Sequence, residues 1–292
     1  MRYVQLRAFH YVAIHGGFSR AAEALFLTQP AISDQVRKLE EEYDVLLINR
    51  QRKQISLTKA GEELLEITNR FFEVENQALE FLSESVAFST GTLRIKVDST
   101  FHVLSTLKKF RERFPKIRIE IKTGNSFDVV QSLLNYDADV GVLGTLPSNS
   151  NIDIIKLGRS PIIAFVSKNN PLTQHTELSI AELNDLPLVM REPNSRTRQK
   201  IEDAAKSQGI ELSPIIEAEG REAVQEIVGS GTGIGFVSEK EFPDTGTFAA
   251  IKISGAAIEM EEAVVSLKER SGSKLIRAFV GMVQETLREN AK

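Results

Sequence analysis

Phe18 to Glu40 read FSRAAEALFLTQPAISDQVRKLE, and the break in the middle of this stretch decides the fold. Alanine-rich, helix-forming sequence halts at FLTQP, residues 26–30, and then resumes. Two short helices joined by a tight turn account for the halt. Thr28 is a suitable N-cap, and Pro30 falls in the first turn, where its missing N–H costs nothing. The resumed helix runs to about Tyr43.

Upstream, Val4, Leu6, Phe9, Val12 and Ala13 recur at helical spacing, which predicts a helix over 3–15. Gly16-Gly17 stops it, and Ser19 is placed to cap a second helix from Arg20 to Phe26. Ala21, Ala22 and Ala24 permit close helix approach, with Leu25, Leu27, Ile32, Val36 and Leu39 as the small core. This is a helix-turn-helix pattern, whose physical use is to set the start of its second helix in a major groove. Gln29, Pro30, Ser33, Asp34 and Arg37 then fall on the outward side, where Gln suits adenine and Asp suits cytosine. Arg20 and Thr28 suit phosphate oxygens. VLLINR and QISLT read as two short strands of a wing, with Arg50, Arg52 and Lys53 near its tip for phosphate or minor-groove contact. The competing reading is a plain helical bundle with a solvated, charged face.

The stretch AFHYVAIHGGFSRAAEALFLTQPAISDQVRKLEEEYDVLLINR, followed by ISLTKAGEELL, resembles the head of the LysR-type bacterial transcriptional regulators, collinearly over about 65 residues. Two positions depart from that family's pattern: Asp44 where glycine is usual, and Ile48 where phenylalanine is usual. The head also looks similar to regulators associated with aminoethylphosphonate use. The resemblance implies a winged helix-turn-helix over 1–58, a linker and dimerisation helix over 59–90, and an effector-binding domain over 91–292. It also implies a linker-helix dimer, commonly paired into a tetramer, with RNA polymerase as a further partner.

The residues support the linker independently. Leu64, Ile67, Phe71, Val74, Ala78 and Phe81 alternate spacings of three and four, an a/d seam. Leu65, Phe72, Leu79 and Leu82 form a second apolar row. One helix cannot hide both, so one row meets its own domain and the other a second subunit. A helix lying wholly on its own domain is the alternative.

From Thr92 the pattern alternates strand and helix, which predicts a wound, parallel α/β body. The strands are TLRIKV, IRIEIKT, ADVGVLG, IIAFVS, PLVMRE, PIIEAE, GIGFVS and AVVSLKE. The helices span 103–114, 127–136, 180–186, 196–208, 221–229 and 274–289. Two lobes result, about 91–160 with 266–292, and about 161–265. The resemblance implies a periplasmic-binding-protein-like arrangement. Ligands of such sheets sit beyond strand carboxyl ends. The candidates there are Ser99, Thr100 and Phe101; Asn125 and Ser126; Gly144 and Thr145; Asn194, Ser195, Arg196, Thr197 and Arg198; and Ser238. Hydroxyls and amides at helix starts favour an anion, so a small anionic effector is expected. Ordinary capping is the alternative role of each residue taken singly. GSGTGIGF, 229–236, lacks the lysine of a phosphate loop and reads as a helix-to-strand turn.

The formal net charge of −4 hides an asymmetry: residues 1–60 carry +3 and the remainder −7. A basic head on an acidic body suits a protein that meets DNA locally, because salt screens charges beyond about 8–10 Å. The chain has no cysteine and only four histidines, none at metal-ligand spacing. Neither metal nor cofactor is expected. The missing cysteines, export signal and apolar span fit the cytoplasm and no membrane role. No nucleophile elbow or histidine–acid pairing stands out, so the favoured reading is a regulator that binds double-stranded DNA and a small effector and is no enzyme. The alternative is a two-lobed solute-binding protein or enzyme with an incidental helical head.

Overall fold

The computed structural model describes residues 1–49, 55–82, 91–243 and 245–290. The chain divides into two compact units, Met1–Glu84 and Ser85–Lys292.

In the first unit, α1 (Tyr3–His15), α2 (Phe18–Leu25) and α3 (Gln29–Tyr43) pack around Phe9, Val12, Ala21, Ala22, Ile32, Val36 and Leu39. Gly16 ends α1 in the left-handed conformation (φ +62°), where glycine carries no Cβ penalty. Three expectations need correcting. Gly17, not Ser19, occupies the N-cap of α2, so Ser19 lies inside the first turn. Thr28 holds the N-cap position of α3 without a side-chain bond. Val4, Ala24 and Leu27 are exposed, because the turn points Leu27 outward with Phe26, which is 95% exposed. The wing strands β1 (Ile48–Asn49) and β2 (Ser56–Leu57) pair antiparallel. The Glu40 carboxylate accepts from Leu47 N at 2.9 Å and Ile48 N at 3.1 Å, fastening the wing to α3.

Helix α4 (Lys59–Leu82) splits its apolar residues between two surroundings. Leu64 and Leu65 join the head core, and Phe72 is buried against Tyr3 and His10 of α1. Ile67, Phe71, Val74 and Leu79 are all roughly half or more exposed. The Phe81 side chain lies outside the described part.

The second unit is built on a mixed sheet, not the parallel one expected. Its strands are β3 (Thr92–Val97), β4 (Arg118–Thr123), β5 (Val140–Leu143), β6 (Ile152–Ser167), β7 (Glu177–Ser179), β10 (Gly235–Ser238), β11 (Phe248–Ser254) and β12 (Glu259–Leu267). They follow the order β4-β3-β5-β12-β6-β11-β7, with β10 also on β6. Only β3, β4 and β5, and the β11–β7 pair, run parallel; β6 pairs antiparallel with β12, β10 and β11. A separate parallel pair joins β8 (Val189–Arg191) to β9 (Ile216–Ala218).

The helices are α5 (Leu104–Arg113), α6 (Ser126–Leu134), α7 (Ile180–Leu183), α8 (Arg196–Ser207), α9 (Arg221–Gly229) and α10 (Lys274–Asn290). One lobe buries Leu93, Ile95, Phe110 and Val142 against Phe279 of α10. The other buries Ile162, Ala164, Ile201, Ile234 and Ile251. Strands β6 and β12 run through both lobes, with a register shift between Glu262 and Ala263. The glycine run at 229–236 is the α9-to-β10 turn; Gly233 has φ +100°, and a Cβ there would lie 2.3 Å from Pro187 O.

Candidate functional site

On the head, Gln29 and Pro30 open α3 exposed, with Ser33 and Asp34 partly buried and Arg37 exposed on the following turn. Small side chains at the helix start leave room for a base edge. The charges beyond them are already paired. Arg37 bridges Asp34 at 3.0 Å and Glu41 at 2.9 Å, and Lys38 reaches Asp34 at 2.6 Å. Hydrogen bonds from Lys38 and then Arg37 hold the Asp34 carboxyl below its ordinary value. Asp34 therefore has to release two cations before it can accept from a base. Arg20 donates to Gly16 O at 2.8 Å across the first interhelix turn. The expected wing residues Arg50, Arg52 and Lys53 lie outside the described residues.

The body holds a polar cleft where its two lobes meet. One lobe supplies Asp98, at the end of β3, with Asn125 and Ser126 at the start of α6 and Gly144 after β5. The other supplies Arg191, Arg196, Thr197, Arg221, Ser238 and Glu241, and β12 adds Met260 and Glu262. The cavity measures only about 10 Å³, room for about one water.

A polar contact crosses from lobe to lobe beside the cavity. His102 Nε2 lies 2.7 Å from Glu241 Oε1, and Arg221 lies 2.7 Å from Glu241 Oε2. Burial acts to raise the Glu241 carboxyl; the His102 bond and the Arg221 charge more than offset it and leave it below the ordinary value. Asp98 goes the other way, raised by burial and by the Glu241 charge. Its Oδ2 accepts from Gly144 N at 2.6 Å and Ser126 Oγ at 3.0 Å. Arg191 is held by Glu192 at 2.7 Å.

Of the residues expected at the site, Asn125, Ser126, Gly144, Arg196, Thr197 and Ser238 come together in this cleft. Asn125 also caps α6, accepting from Asp128 N at 3.0 Å. Ser99, Thr100, Phe101, Thr145, Asn194, Ser195 and Arg198 do not line it. Ser99 is buried against Glu241, Thr100 precedes a short 3-10 turn without capping it, and Phe101 is exposed. Arg198 turns away to Glu202 and Glu217. Arg191, Arg221, Glu241, Met260 and Glu262 were missed, and Asp98, at the first strand end of the body, was not carried among the candidates. Asp98, Arg191, Arg221 and Glu241 sit at or just after strand ends and obey the strand-end rule. Glu262 lies within a long antiparallel strand, one of three glutamates in EMEEAVV, and nothing in the sequence singles it out.

A helix-turn-helix head followed by a two-lobed body with a polar cleft defines the class of ligand-responsive transcriptional regulators. Two family models match: the bacterial regulatory helix-turn-helix protein of the lysR family over residues 3–62, and the LysR substrate binding domain over 88–288. The chain belongs to the LysR family of transcriptional regulators, which are not enzymes. It is 28% identical over 281 residues to the HTH-type transcriptional activator CmpR of Synechocystis, covering 94% of this chain and 92% of that one. It is 33% identical over 236 residues to a RuBisCO operon transcriptional regulator of Allochromatium vinosum, covering 80% and 78%. Among solved structures, a full-length OxyR variant from Pseudomonas aeruginosa superposes with a TM-score of 0.80 at 17% identity, covering 97% of this chain and 95% of that one. Full-length CbnR complexed with its target DNA gives 0.65 at 23% identity, covering 98% and 99%. Among the described residues no helix is long and apolar enough to cross a membrane.

Proposed function

We propose that a small acidic metabolite enters the cleft and parts or re-sets the two lobes, and that the head answers by altering its grip on duplex DNA. The observation that carries this reading is the convergence of Arg196 and Thr197 at the start of α8 with Asn125 and Ser126 at the start of α6 around one cavity. Helix starts present free N–H groups to an anion, and Arg196 adds a full charge. The lobes we assign are about 91–160 with 266–292, and about 161–265. Met260 packs with the second lobe and Ala263 and Val265 with the first, which supports a crossing at Glu262–Ala263.

The dimer we propose forms through the exposed α4 row, Ile67, Phe71 and Val74, continuing towards Phe81. Two heads then read two half-sites of a near-palindrome. Pairing of such dimers into a tetramer, contact with RNA polymerase and residence in the cytoplasm belong to the same reading. The aminoethylphosphonate association rests on the head's resemblance and enters as one ligand to test. A gel shift with the gene's own upstream fragment tests the whole: binding should fall steeply with salt, and Val74→Lys should yield monomers that bind at least tenfold more weakly. A monomeric wild-type protein indifferent to that fragment at low salt overturns it.

A further inference from the structure

Three buried side-chain oxygens at or beside the cleft have no hydrogen-bond partner: Asp98 Oδ1, Glu262 Oε2 and Ser195 Oγ. Asp98 spends only Oδ2, on Gly144 N and Ser126 Oγ. Glu262 is 1% exposed; Ser238 Oγ donates to its Oε1 at 3.1 Å, while Oε2 meets only the Lys240 ammonium at 3.6 Å. That separation is an ion-pair distance but too long for a hydrogen bond. A buried carboxylate oxygen without a donor is costly. Here two of them, from different strands, border one cavity.

The start of α8 has the opposite character. Ser195, its N-cap, is fully buried with a free hydroxyl. Arg196 bonds Gln199 Oε1 at 2.7 Å and pairs with no carboxylate among the described residues. Arg191 and Arg221, by contrast, are each matched to a glutamate.

We infer that the ligand of this cleft is a zwitterion, with its acidic group at Arg196 and the α8 N-terminus and an amine seated between Asp98 and Glu262. The inference rests on the cleft being the effector site. A ligand carrying only negative charge would meet the bare oxygens of Asp98 and Glu262 and give neither a donor; Lys240 stands near Glu262 but too far for a hydrogen bond. An ammonium supplies three donors to the two bare oxygens. It also favours the ionised form of Asp98, which burial and Glu241 otherwise oppose.

Calorimetry on the full chain with matched pairs tests this: β-alanine against propionate, taurine against ethanesulfonate, 2-aminoethylphosphonate against ethylphosphonate, and longer homologues to six carbons. At least one amino member should bind ten or more times more tightly than its des-amino partner. Asp98→Asn should abolish that preference, and Glu262→Gln, which keeps the Ser238 bond, should reduce it. Arg196→Ala should weaken both members of the pair. Des-amino acids binding as well as their amino counterparts, with Arg196→Ala weakening both, would overturn the zwitterion and leave the cleft reading standing. Retention of the amino preference in both Asp98→Asn and Glu262→Gln would also overturn it. Silence from every pair at millimolar concentration removes both.

Discussion

His102 Nε2 lies 2.7 Å from Glu241 Oε1, and both side chains are more than nine-tenths buried. His102 belongs to the turn after β3 and Glu241 to the turn after β10, so this contact ties one lobe to the other beside the cavity. Arg221 completes the triad from the opposite carboxylate oxygen. Glu241→Gln removes the charge that compensates Arg221, and breaking a buried pair from one side costs about 3–5 kcal/mol. The expected outcome is a clear fall in the thermal midpoint, with a smaller fall for His102→Gln. Because the Glu241 carboxyl is held below its ordinary value, its contribution is present at neutral pH and is lost as pH falls through that lowered value. Thermal scans from pH 7 to pH 3 on wild type and Glu241→Gln should converge at the acid end.

A second pH effect belongs to the head. His10 is buried between α1 and α4, with Nδ1 3.1 Å from Thr68 Oγ1 and its ring 4.5 Å from that of Phe72. Burial, with a minor push from His15, lowers its pKa to about 4. The folded head thus binds the proton less readily than the unfolded chain does. Stability should hold above about pH 6.5 and fall by about 3 kcal/mol as pH drops towards 4. Urea titrations of wild type and His10→Gln at several pH values check this; the variant should lose that slope.

Phe26 ends α2 with φ +55°, a left-handed backbone on a bulky residue whose side chain makes almost no contact. Left-handed backbone costs an L-residue about 1–2 kcal/mol, and asparagine tolerates it best. Phe26→Asn should therefore stabilise the head by about 1 kcal/mol, read by chemical denaturation. Asp44 occupies the same region at φ +50°, so Asp44→Gly should act in the same direction. That geometry also gives a reason for the glycine usual at this position in the family.

The head's reading and anchoring residues should separate in binding assays. Gln29→Ala or Ser33→Ala should alter sequence preference, by about 1–3 kcal/mol at the affected base pair. Lys53→Ala should weaken all sequences alike and lower the salt slope by about one. Asp34→Asn frees Lys38 and leaves Arg37 paired to Glu41 alone, and should raise non-specific affinity. Competition gel shifts at several salt concentrations separate these outcomes.

The helices of this protein were legible because each carries local punctuation. Gly16 stops α1, Pro30 starts α3, and the Asn125–Asp128 capping box opens α6. The long strand β6 was read only in its second half, IIAFVS, because Gly158 and Pro161 interrupt residues 152–161 and break the strand signal. Strands β7 and β11 were missed outright. Strand β7 has only three residues, and β11 buries only Ile251 of its seven, so neither sets a period. Without β6 and β12 running antiparallel, the sheet looked parallel. The cleft was half legible for the same reason. Strand ends can be counted along a chain, but Glu262 reaches the cavity only through the crossing.

That crossing is bent where it matters. Leu157 is the extra residue opposite the Glu262–Ala263 step, and its neighbour Gly158 takes φ +141°. A bulge twists and weakens a ladder locally, so torsional compliance gathers at the residues that wall the cavity. Glu262 thus sits at the strand crossing that joins the lobes as well as in the wall of the pocket. On the proposed reading of the cleft, a substitution at this crossing should alter ligand affinity and lobe placement together.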